Sequence, residues 1–142
     1  MIVSPGVREA VPSAGLLVLR VFIGLCLAAH GAQKFFQVGL SGFSGHLVSL
    51  GFPAPGLMAF LSAATEFGGG FLVAVGLLTR PAALALTINM LVAALVVHAK
   101  EGYFLPKGME YALNLAAAFA AIVLTGPGRF SLDAVLARRR DS

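Results

Sequence analysis

Residues 57–78 read LMAFLSAATEFGGGFLVAVGLL, and after Thr79 and Arg80 alone the run PAALALTINMLVAALVVH follows at 81–98. A helix needs about 20 apolar residues to cross the roughly 30 Å hydrocarbon layer of a bilayer, with about 17 to 25 tolerated. Both runs meet that length. Pro81 stands at the start of the second run, where its missing N–H costs nothing. Two spans joined by so short a link must form a tight hairpin, so this stretch predicts a membrane bundle and not a soluble fold.

The same criterion marks two further spans, Leu16–Gln33 before the hairpin and the shorter Met109–Thr125 after it. The sequence therefore predicts an all-α membrane protein, a bundle of four transmembrane helices. Composition agrees, because 58% of the 142 residues are hydrophobic and 11% charged, against roughly 25% charged in an ordinary soluble domain. A chain of this length leaves no room for a second core, so residues 1–142 read as a single membrane domain.

A pI near 9.9 would suggest nucleic acid in a soluble protein. Here the basic residues sit at the ends of the apolar runs, which is a topology signal and excludes a nucleic-acid partner. Arg8, Arg80, Arg129, Arg138, Arg139 and Arg140 fall on one side, and Lys34, Lys100 and Lys107 on the other. By the positive-inside rule the arginine side is cytoplasmic, with both termini inside. A signal peptide is the rival reading of the first run, but Arg20 interrupts its apolar stretch. The single cysteine, Cys26, excludes an internal disulfide or a dithiol pair.

Between the first two spans lies a glycine-rich stretch, Phe35–Gly56, in which Phe43, Leu47 and Leu50 recur at helical spacing. It predicts a short interfacial or re-entrant helix at the outer surface, the alternative being a glycine-rich loop against lipid.

Ionisable groups in hydrocarbon cost on the order of 2.5 to 3.5 kcal/mol each, so function is sought where they occur. They are Arg20, His30, Glu66, Asn89, His98, Glu110 and Asn114, with Lys34 at the edge. At about 1.5 Å per residue, Arg20 lies about 6 Å from the inner edge and could snorkel to water. Glu66 is near mid-membrane, and His30 is within about 3 Å of its level. Helical phase places Ser62, Ala63, Gly69 and Gly70 around Glu66, and Glu110, Asn114, Ala117 and Ala121 in one stripe on the fourth span. Small residues beside polar ones predict that these stripes face the bundle interior. Asn89 and His98 are nine residues apart and point to opposite sides of a regular helix, so only one of them is expected to face that interior. The outer-half cluster of His30, Glu66, His98, Glu110 and Asn114 is the candidate ligand or proton site, with Arg20, Lys34 and Asn89 as structural or secondary polar residues. The bland alternative is that these groups satisfy one another and set helix register.

Four stretches resemble the DoxX family of small four-helix membrane proteins: Arg20 with His30-Gly31-Ala32-Gln33-Lys34, Glu66-Phe67-Gly68-Gly69-Gly70, Gly76-Leu77-Leu78-Thr79-Arg80-Pro81, and Gly126-Pro127-Gly128-Arg129-Phe130-Ser131-Leu132-Asp133. Their order and spacing carry the likeness over Leu16–Leu136. The resemblance implies a multi-pass protein of the bacterial cytoplasmic (inner) membrane. It also implies kinship with proteins similar to the DoxD subunit of thiosulfate:quinone oxidoreductase, or associated with redox-stress enzymes.

Two functions compete on this reading. One is a quinone-associated subunit of a membrane redox complex, with His30 and Glu66 handling protons, Asn114 and His98 as secondary contacts, and electrons supplied by a partner redox protein, since no flavin or iron–sulfur motif is present. The other is a non-catalytic scaffold that recruits or stabilises partners. Haem between His30 and His98 is disfavoured because lone histidines in apolar runs are more often structural. No metal set is expected. A transport role would require a homo-oligomer, because four spans lack an internal repeat.

Overall fold

The computed structural model describes residues 5–140, with side chains from Ala10 onward. The Arg8 side chain used in the orientation argument, and the outermost ends of the 1–142 domain, lie outside the described residues. The elements are all helices: α1 (Pro5–Phe36), α2 (Gly39–Ser49), α3 (Pro55–Val75), α4 (Thr79–Glu101), α5 (Glu110–Thr125) and α6 (Leu132–Arg140). Three stretches, Ala10–Phe36, Pro55–Val75 and Thr79–Glu101, are long and apolar enough to cross a membrane. Helix α5 is apolar but has 16 residues, about 24 Å at 1.5 Å per residue, which is short of the hydrocarbon thickness.

Hydropathy marks only the part of α1 that fits the hydrocarbon, and the helix itself continues N-terminally past Leu16 to Pro5. The expected outer segment is helical as α2, bounded by Gly39 and Gly51 at φ +74° and +78°, with Leu47 as its buried anchor. Helix α3 opens on Pro55, whose fixed φ suits a first turn. It contains a π turn over Thr65–Gly69, and a second π turn occupies Ala93–His98 of α4.

Helix α1 packs along α3, α4 packs along α5, and α3 joins the two pairs through α4. The core between them comprises Leu27, Val73, Ala83, Leu86, Met90, Leu115, Phe119 and Ile122. The α1–α3 contact is backbone on backbone. A Cβ on Gly24 would lie 2.6 Å from the Gly70 carbonyl oxygen, and one on Gly70 would lie 2.5 Å from the Gly24 oxygen and 2.6 Å from the Ala28 nitrogen. Small residues permit this approach, and without a hydrophobic drive between helices in lipid, such van der Waals contact is what holds them.

Three sequence expectations are corrected. The first concerns the fourth span, where the buried face of α5 is Ala112, Leu115, Ala116, Phe119 and Ile122, while Asn114, Ala117 and Ala121 are exposed. Lipid is as apolar as a bundle core, so apolar periodicity does not separate inside from outside, and the larger residues fill the gap against α4. The second is Arg20, which is 0% exposed and does not snorkel. Its Nη1 donates to the Val73 carbonyl (3.2 Å) and its Nη2 to the Phe130 carbonyl (2.6 Å). The third is the hairpin link, which is Gly76–Leu78, with Thr79 opening the next helix.

That link explains why the stretches at 76–81 and 126–133 belong together. Gly76 adopts φ +74° and ends α3, with its own N–H and that of Leu77 both bonded to the Leu72 carbonyl. A Cβ there would strike Arg20. The freed N–H groups of Leu78 and Thr79 donate to Asp133 (2.9 Å each), as does the Thr79 hydroxyl (2.8 Å), and the Asp133 N–H returns a bond to the Gly76 carbonyl. Asp133 thus caps α4 from more than fifty residues away. Burial alone would push its carboxyl up, but the bonds from Thr79 and Leu78 and the charge of Arg20 hold it below the ordinary value of 3.8. The bonded carboxylate therefore stabilises the fold above that range, and the contribution is lost as the pH falls through the lowered value. Exchange protection of the Leu78 and Thr79 amides should fall on acidification below that range. Asp133→Ala should remove it at all pH values, at about 1–2 kcal/mol.

Candidate functional site

Glu66 sits in the π turn of α3 and is 3% exposed. Its Oε1 accepts from Lys34 Nζ of α1 at 2.6 Å and from Asn89 Nδ2 of α4 at 3.0 Å. Lys34 Nζ also donates to Ser62 Oγ (3.3 Å) and lies 4.5 Å from the centre of the Phe43 ring of α2. One carboxylate thereby ties three helices, and the ammonium draws in the fourth by cation–π attraction. Oε2 of Glu66 is buried and meets no donor among the described residues. A buried charge is tolerated only when paired and hydrogen-bonded, which Lys34 and Asn89 supply on one oxygen alone.

Beside this cluster is a cavity of about 580 Å³ between α2, α3 and α4. Its walls are apolar, with Phe43, Leu61, Ile88 and Val97 among them, and its polar groups are Lys34, Ser62, Thr65, Asn89, His46 and His98. That volume and that mixture fall within the range of small-molecule sites.

Both π turns contribute wall residues, Thr65 from one and Ala93, Val97 and His98 from the other. A π turn spends one extra residue, which sets back the helical phase by about 100°. Asn89 and His98, opposed on a regular helix, consequently both reach the cavity. His98 Nδ1 is 2.9 Å from the Lys107 carbonyl oxygen. A carbonyl only accepts, so Nδ1 carries the proton and Nε2 of the neutral ring keeps its lone pair.

Of the sequence-derived candidates, the structure brings Glu66 and His98 to this site, together with Lys34 and Asn89. It does not bring His30, Glu110 or Asn114. His30 is exposed, with Nε2 3.1 Å from the Tyr111 hydroxyl, which in turn lies 2.9 Å from Cys26 Sγ. His30 is not among the residues lining the cavity with His98. Glu110 is in the first turn of α5, where an acidic side chain complements the helix dipole. Asn114, one turn beyond Tyr111, is exposed on the outer face of α5. Sequence reading missed His46, though it shares the Phe43–Leu47 face of α2. It also missed Tyr111 and the Thr79–Asp133 cap, for which no local pattern gives a signal.

The DoxX family model matches residues 15–99. The chain is 31% identical over 149 residues to "Uncharacterized membrane protein Rv3486" of Mycobacterium tuberculosis, covering 95% of this chain and 89% of that one. It is 31% identical over 127 residues to "Inner membrane protein YqjF" of Escherichia coli, covering 88% and 94%. It is 34% identical over 119 residues to "Putative oxidoreductase CatD" of Bacillus subtilis, covering 84% of each. No solved structure matches the chain.

Proposed function

The chain belongs to the DoxX family, and from that membership we propose that it is a quinone-associated subunit of a membrane redox complex whose binding site is the cavity beside Glu66. That it is a multi-pass bacterial membrane protein follows from its relatives and its apolar helices. The proposal adds that it lies in the inner membrane, that α5 is a fourth span, and that the arginine end with both termini is cytoplasmic.

One observation carries the functional reading: a mostly apolar cavity of about 580 Å³ whose wall residues Lys34, Ser62 and Asn89 are bonded to, or share donors with, a buried carboxylate. A quinone-class ring has two oxygens on an apolar disc, and this cavity offers polar groups on an otherwise apolar wall. Glu66 is the proton-handling group of this reading, joined to that wall through Lys34 and Asn89. Electrons come from a partner protein, since the chain has one cysteine and no group of three metal-ligating side chains among the described residues. The name of the Bacillus relative agrees with a redox role.

The test is saturable binding of a short-chain ubiquinone or its reduced form to the protein in lipid nanodiscs. Ala93→Phe, which projects a ring from the cavity wall, should weaken binding by about tenfold or more, or 1.4 kcal/mol. Glu66→Gln should slow quinone turnover in membranes that contain the partner. Wild-type protein that binds neither redox form would remove the proposal.

A scaffold is the second reading, and the exposed face of α5 favours it. Asn114, Ala117 and Ala121 stand outward there, next to Tyr111 and His30, where the other outward positions are mostly Phe, Leu, Ile and Val. A partner helix, from another protein or a second copy, would supply the amide of Asn114 with hydrogen bonds that acyl chains cannot. Co-purification in mild detergent should then be lost in Asn114→Leu with cavity binding intact; an unchanged set of co-purifying proteins counts against this reading.

A further inference from the structure

Resting on the reading that the cavity takes a quinone-class ring, we infer that it selects the reduced, hydroxyl-bearing form, with one hydroxyl of a hydroquinone donating to Nε2 of His98.

The inference comes from hydrogen-bond polarity. The Lys107 carbonyl holds the proton of His98 on Nδ1, and the ring cannot shift it to Nε2 without giving up that bond. His98 lines the cavity, and with Nδ1 engaged by Lys107 the nitrogen it has left for a ligand is Nε2, an acceptor of fixed role. A quinone carries carbonyl oxygens, which only accept, so a quinone oxygen against Nε2 sets lone pair against lone pair. A hydroquinone hydroxyl donates there. A second fixed acceptor on the wall is Oδ1 of Asn89, which accepts nothing among the described residues while its Nδ2 is turned to Glu66. Lys34 directs its ammonium to Glu66, Ser62 and the face of the Phe43 ring. The Ser62 and Thr65 hydroxyls, and the His46 ring, whose tautomer no bond among the described residues fixes, take either role and accommodate the second ring oxygen in both redox forms. What separates the forms is His98, because a site built around a fixed acceptor disfavours the analogue that lacks the donor.

The inference goes beyond quinone association, since it states which redox form rests in the site, and it makes His98 the specificity-determining residue. Nothing in it needs an electron to move within this chain.

The experiment uses the full-length protein in nanodiscs, without oxygen, at about pH 8, where a neutral imidazole is the rule. Three probes of one shape are titrated: tetramethylhydroquinone, its dimethyl ether, which has no donor, and tetramethylquinone. The expected result is that the hydroquinone binds about tenfold or more tightly than either of the others. In His98→Phe the preference for the hydroquinone over the quinone should fall from about tenfold to within about twofold. The ¹⁵N resonance of His98 Nε2 in the wild type should shift on adding the hydroquinone and not the quinone, a readout that does not depend on the variant folding. Equal or tighter binding of the quinone overturns the selection and leaves the cavity reading standing. Equal losses for both probes in His98→Phe, or a nitrogen shift common to both, overturn the role of His98. Absence of saturable binding by all three overturns the cavity reading, and this inference with it.

Discussion

Lys34→Met is expected to destabilise the bundle by about 3–5 kcal/mol, the cost of leaving a buried carboxylate without its counter-charge. Glu66 is 3% exposed, and after the substitution only the Asn89 amide would remain on its Oε1, with Oε2 already bare. Methionine matches the lysine stem in length and polarizable bulk, so lost packing is a minor part of the effect. The cation–π contact to Phe43 would go as well, loosening α2 over the cavity. Placing Glu66→Gln in the Lys34→Met background should restore most of the loss, because a neutral amide needs no counter-ion. A double-mutant cycle from equilibrium unfolding in detergent micelles should give a coupling above about 2 kcal/mol. If Lys34→Met unfolds at the wild-type midpoint, the ion pair is not what holds Glu66, and the site loses its centre.

The hairpin of α3 and α4 is legible in the sequence because two long apolar runs leave room for nothing else. The polar residues that matter were also visible, since each is an exception within such a run. Their partners were not. Lys34 and Glu66 lie 32 residues apart, and depth estimates put them at different levels, which the long lysine stem bridges. Helical phase misplaced Asn89 relative to His98 because a π turn intervenes, and no composition rule announces one over Ala93–His98. Asn114 was drawn inward by its small neighbours, although small residues also suit a face turned to another protein. Arg20 shows the same limit at the other end of the bundle. A long cation near the membrane edge is free to snorkel, and only the tertiary fold reveals two carbonyls waiting for it. Chemistry-bearing residues are thus readable from a membrane sequence, whereas their pairing depends on helix phase and register, which side chains of uniform hydropathy do not encode.

The contact that sets this register yields the other large effect. Gly70→Leu is expected to cost more than about 3 kcal/mol, at or above the top of the usual overpacking range, because a Cβ would meet backbone, the Gly24 oxygen and the Ala28 nitrogen, and backbone cannot rotate aside. Gly24→Leu should do the same from the opposite helix, against the Gly70 oxygen and the Ala74 nitrogen. Both variants would push α1 off α3 and carry Lys34 away from Glu66, so the two lesions should be less than additive with Lys34→Met. Gly15 is the control: it lies in α1 with nothing within 4 Å of where an added Cβ would sit, and Gly15→Ala should raise stability by about 0.5–1 kcal/mol through helix propensity alone. Thermal unfolding of the four variants in one detergent distinguishes the cases. A Gly70→Leu protein that unfolds with the Gly15→Ala one would mean that α1 and α3 do not touch backbone to backbone, and the geometry that brings Lys34 to Glu66 would need another cause.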